Sequence, residues 1–172
     1  DTLIGNVKKN LLLTLAVLLI PLAVFGYFNF GAGYNYGDAN SWMFRLGYEE
    51  DTFSFNADYL LNAGWYFTGD VTFDTQFGFG VGPLIYAKYS LATNQLTTKF
   101  GGIFDIDYQN FNVRLGIITD LSTSFNLSNS VYAKVRFYAP DPQGMKMKDK
   151  LYIEIGYYNP NFSIIVGLLE PF

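Results

Sequence analysis

The chain has no cysteine and no histidine among its 172 residues. The first absence removes a disulfide framework and thiolate metal chemistry. The second removes His-based triads, the usual zinc ligand sets and the commonest general base. Charge is scarce as well: 15% of residues are charged, against about 25% in ordinary soluble domains. The net charge of −4 comes without a basic patch interleaved with aromatics, so nucleic acid is not an expected partner. No helical period is needed after residue 26. What remains is abundant: 19% of the chain is aromatic and half of it is hydrophobic.

Those residues are arranged with period two. From Phe53 to Phe67 the odd positions read Phe53, Phe55, Ala57, Tyr59, Leu61, Ala63, Trp65, Phe67. The even positions between them are mostly polar or glycine, including Ser54, Asn56, Asp58 and Asn62. After Thr68-Gly69-Asp70 the pattern restarts through Val71, Phe73, Phe77, Phe79 and Val81. Successive side chains of a strand point to opposite faces, so this stretch predicts one long β-hairpin that turns at 68–70 and runs on to Ser90.

The same alternation covers the remainder. Tyr27 to Gly37, Trp42 to Glu49, Thr98 to Gln109, Phe111 to Ile118, Phe125 to Ala139, Leu151 to Tyr158 and a last strand from Phe162 all read as strands. Turn chemistry lies at Asp38-Ala39-Asn40-Ser41, Glu50-Asp51, Gln109-Asn110, a Ser/Thr turn at 122–124, and Asn159-Pro160-Asn161. Leu91 to Leu96 is loop-like, and Pro140 to Lys148 is the one long loop. Nine segments result. Bacterial single-chain barrels use even numbers of strands, so the expectation is eight, with ten as the alternative.

Ahead of the strands, Lys8-Lys9 precede an apolar run from Leu11 to Phe25, with Gly26 after it. This pattern predicts a secretory signal peptide over residues 7–26, cleaved after Gly26, with residues 1–6 upstream of it. An uncleaved anchor helix is the alternative. Residues 27–172 then form a single β-barrel domain.

Within the strands every charged residue falls on the parity that carries Gly and Asn. The basic ones are Arg45, Lys88, Lys99, Arg114, Lys134 and Arg136; the acidic ones are Glu49, Asp58, Asp74, Asp105, Asp107, Asp120 and Glu154. A soluble barrel would turn this face to water, and a membrane barrel would turn it to the lumen. The apolar face is too bulky for the inside of a small barrel. The polar face is rich in Gly and Tyr but poor in Lys and Glu, as suits a crowded interior where charges pair.

Residues Tyr27 to Phe172 thus resemble small bacterial outer-membrane β-barrel proteins. Such proteins end in an aromatic residue preceded by apolar residues at alternate positions, a signal for the outer-membrane assembly machinery. Here Phe172 follows Phe162, Ile164, Val166 and Leu168 at that spacing, while Glu170 and Pro171 depart from it. The resemblance implies an antiparallel up-and-down transmembrane barrel in the outer membrane, with membrane lipid and the assembly machinery as partners.

Other motifs carry less. Gly78-Phe79-Gly80-Val81-Gly82 lacks the spacing and following helix of a phosphate loop. Asp105 and Asp107 suit ion pairs with Lys99 or Arg114 better than a cation site. Gly144 to Lys148 is a basic loop that could meet anionic headgroups. No pair of carboxylates stands out for acid/base work, so neither an enzyme nor a cofactor is expected. The expectation is a barrel with a largely filled polar lumen in a structural, membrane-stabilising or narrow-pore role. The alternative is a secreted or periplasmic barrel binding an apolar ligand on an aromatic inner face.

Overall fold

The computed structural model describes residues 26–108, 110–120, 130–139 and 150–171. The signal-peptide reading, the turn at 122–124, the loop at 140–148 and Phe172 therefore lie outside the described residues. Eleven strands follow in order: β1 Tyr27–Tyr36, β2 Ser41–Glu49, β3 Phe53–Leu60, β4 Gly64–Val71, β5 Phe73–Asp74 and β6 Gly80–Ser90. The chain continues with β7 Gln95–Tyr108, β8 Phe111–Thr119, β9 Val131–Tyr138, β10 Lys150–Tyr158 and β11 Asn161–Pro171.

Every pairing is antiparallel and joins neighbours in sequence, apart from β4–β6 and the pair β1–β11, which closes the ring. Strands β4 and β5 both pair with β6 in one continuous register, from Gly64↔Ser90 to Asp74↔Gly80, with only Thr72 between them. They are one stave of the wall. The fold is a closed antiparallel barrel of ten staves.

Ten replaces the eight expected from sequence, and the reason lies in the stretch read as one long hairpin from Phe53 to Ser90. The run from Phe53 to Phe67 is not one strand. It folds back at Leu61-Asn62-Ala63, between the paired residues Leu60 and Gly64. Asn62 takes the left-handed conformation (φ 62°) and Gly64 has φ 144°, which suit Asn and Gly far better than β-branched residues. A loop with an odd number of residues leaves odd positions on the same face in both arms. The alternation therefore passes through the turn unmarked. Thr68-Gly69-Asp70, read as a turn, lies inside β4 opposite Ser54, Phe55 and Asn56.

The parity that carries Phe, Leu and Ile faces outward. Phe55 is 41% exposed beside the fully buried Asn56. Inside, two glycines let neighbouring staves approach closely. A Cβ on Gly82 would come within 1.7 Å of the Val71 carbonyl oxygen, and one on Gly101 within 1.7 Å of that of Ile117. No other residue tolerates such an approach. Gly167 serves differently: its cross-strand partner Tyr152 lays its ring over the bare Cα.

Candidate functional site

The barrel interior gathers the charges. Register sets Arg45 of β2 beside Asp58 of β3, and Arg136 of β9 beside Glu154 of β10. Arg45 donates from Nε and Nη2 to the two Asp58 oxygens at 2.7 and 2.8 Å, and from Nη1 to Glu154 Oε1 at 2.6 Å. Arg136 donates to Glu154 Oε2 from Nε at 3.0 Å and Nη2 at 2.8 Å. Its Nη1 and Nη2 also reach both Glu49 oxygens, at 2.6 and 2.8 Å. The chain Asp58–Arg45–Glu154–Arg136–Glu49 thus crosses the bore from β3 and β2 to β10 and β9 and returns to β2.

Neutral groups complete this ladder. Asn29 donates to Glu49 at 2.6 Å and to Asn56 at 2.8 Å, and accepts from the Tyr152 hydroxyl. The Arg136 guanidinium lies 4.2 Å from the centroid of the Tyr152 ring. All five charged groups are buried. Charges taken from water are costly unless paired and fully hydrogen-bonded, and bidentate guanidinium–carboxylate pairs meet that demand best. With every oxygen of Asp58, Glu154 and Glu49 engaged by a guanidinium, none of the three is a free general base.

A second cluster lies nearer the rim that carries both ends of the barrel domain. Arg114 of β8 donates to Ser54 Oγ at 2.9 Å and to Asp70 and Asp105 at 3.3 Å each. Ser54 donates to Asp70 at 2.6 Å. Asn112 bridges Asp105 and Asp107 at 2.6 and 2.9 Å.

The other sequence-predicted charges lie apart. Asp74 is exposed at the same rim. At the opposite rim Lys88 pairs with Asp38 at 2.6 Å, both partly exposed. Lys99 stands 5.1 Å from the Tyr158 ring, with no carboxylate in salt-bridge range among the described residues. Lys134 is buried deeper, 3.8 Å from Glu154 and 5.7 Å from the Tyr132 ring. Asp120 is half-buried just beyond β8. Phe162, Ile164, Val166 and Leu168 all face outward along β11.

Sequence reasoning misses Asp70, whose Thr-Gly-Asp setting reads as a turn, and the buried amides of Asn29, Asn56 and Asn112. Their signal was present, since all four share the parity of the charges. Among the described residues no group of three acidic side chains is placed to hold a metal. Fold and interior together define a closed antiparallel barrel spanned by buried ion pairs. No family model, curated protein or solved structure matches this chain.

Proposed function

We propose that the chain is a bacterial outer-membrane β-barrel with a filled polar lumen, serving a structural, membrane-stabilising or narrow-pore role. One observation carries this reading. Among the described side chains of the strands, the only charge on the outward parity is Glu170, near the end of β11, while large apolar side chains cover the outside of every stave but its rims. Phe44, Leu46, Ile85, Leu115, Ile153 and Val166 are each between 48% and 55% exposed. In water such a continuous belt far exceeds the patches that monomers tolerate; in a bilayer it meets lipid.

Dimensions and rims agree. Most staves have 8–11 strand residues, close to the roughly 9–11 that a tilted strand needs to cross a bilayer. Aromatics gather at both edges of the aliphatic belt, as interfacial girdles do. Tyr34, Tyr36, Trp42 and Phe162 form one such group, and Phe28, Tyr48 and Phe53 another.

A second reading draws on an outer groove lined by Val81, Phe104, Leu115, Ile117 and Val131, with a volume of about 670 Å³. In a secreted or periplasmic barrel this groove, rather than the lumen, would take an apolar ligand. Fractionation of cells expressing the full chain separates the two. The membrane reading expects recovery in outer membranes that resists alkaline washing and yields to detergent. Recovery as a detergent-free monomer in the periplasm would overturn it.

A further inference from the structure

Above the ion-pair ladder, away from the rim that carries Tyr27 and Pro171, the interior changes character. A vestibule of about 520 Å³ opens between Lys88, Lys99 and Tyr158. Tyr86 and Tyr158 line both this vestibule and an inner cavity of about 50 Å³. A site that takes one water needs roughly 10–15 Å³ on such a measure, so the cavity accommodates more than one.

Beside the carboxylates of Asp58 and Glu154, the unpaired polar groups that line this cavity can all donate. The Tyr86 and Tyr132 hydroxyls and the Asn161 amide nitrogen are buried with no hydrogen-bond partner among the described residues. Asn161 is oriented by its other atom: Oδ1 accepts from Asn35 Nδ2 at 3.3 Å and from the Asp38 backbone N–H at 3.1 Å. That leaves its NH₂ for the cavity. Lys134, which also lines it, is 3.8 Å from Glu154, beyond hydrogen-bond reach, so among the described residues its ammonium keeps free protons. The carboxylates nearby are already engaged. Both oxygens of Asp58 bind Arg45, those of Glu154 bind Arg45 and Arg136, and Asp38 binds Lys88. Lys99 at the entrance has no carboxylate partner among the described residues.

Unpaired buried donors are costly, and a convergent set of them beside an ammonium is completed best by negative charge. We propose that this cavity is a binding site for a small free anion of the halide or nitrate class, which enters past Lys99. The inner chamber is too small for a lipid headgroup. The inference stands whether or not the barrel spans a membrane.

The test uses the full chain in zwitterionic detergent. Thermal unfolding is followed while sodium nitrate replaces sodium gluconate at constant ionic strength, since gluconate is too large for the chamber. Bromide-soaked crystals locate the ion by anomalous scattering. We expect a saturable rise in Tm with nitrate and a bromide peak among Tyr86, Tyr132, Asn161 and Lys134. Tyr132→Phe, which keeps the ring, should weaken nitrate binding about tenfold, and Lys99→Gln should weaken it less. Coincident nitrate and gluconate curves, or bromide-free water density in the cavity, would overturn the proposal. So would nitrate affinity unchanged in both variants.

Discussion

The two halves of the barrel interior solve the same problem with different chemistry. Toward the rim that carries Tyr27 and Pro171, guanidinium groups bind carboxylates: Arg114 with Asp70 and Asp105, Arg136 with Glu49 and Glu154. Toward the opposite rim, lysines lie beside tyrosine faces: Lys88 by Tyr66, Lys99 by Tyr158 and Lys134 by Tyr132, all at 5.1–5.7 Å from the ring centroids. Arginine offers a planar fork that two or three carboxylates can share, so its half is tied across the bore. Lysine is a compact charge on a flexible stem and ties little. The first half is built to hold the wall together, and the second leaves donors unspent.

Substitutions can break or sharpen this contrast. The largest effect belongs to Glu154, the carboxylate shared by Arg45 and Arg136. Glu154→Leu leaves buried cations uncompensated and should cost about 3–5 kcal/mol, read from urea or thermal unfolding in detergent. A loss below 1 kcal/mol would show that the ladder does not hold the barrel.

Next comes the outer wall at the level of the ladder. Leu46 lies beside Arg45 near the middle of β2 and is 55% exposed. On the membrane reading Leu46→Arg should cost about 2–4 kcal/mol, the penalty of a cation at the bilayer midplane. Efficient assembly of this variant into membranes, with unchanged stability, would count against lipid contact there.

A pair of conservative changes then compares the halves directly. Tyr152→Phe removes the hydroxyl that bonds Asn29 and should cost about 0.5–1.5 kcal/mol. Tyr132→Phe removes a hydroxyl without a partner among the described residues. Measured in gluconate, it should be close to neutral. Equal losses would erase the distinction. The smallest effect is expected of Lys88→Met at the exposed rim, within about 1 kcal/mol and diminishing with salt.

The sequence made the two faces legible, because side-chain parity is fixed by strand geometry and the charges obey it without exception outside Glu170. It did not make the stave count legible. The three-residue turn at 61–63 preserves parity, so the alternation could not mark where β3 ends and β4 begins; Asn62 and Gly64 are the local signals. The turn between Ser90 and Gln95 has four residues and does flip parity, so that boundary was readable. Asp70 was hidden by its company, since Thr-Gly-Asp also describes a turn. Which charge meets which was beyond reach. The Arg45–Glu154 and Arg136–Glu49 bonds cross the bore between strands far apart in sequence, and they follow from closure of the ring rather than from any local spacing.

The central claim is that the lumen is closed by these pairs. Single-channel recording of the purified full chain in planar bilayers tests it most directly. The account predicts conductance that is small or rare, because Arg45, Arg136, Glu154 and the Tyr152 ring occupy the bore. Steady conductance of the size seen in porins of about 16 strands, which leave an aqueous channel, would contradict it.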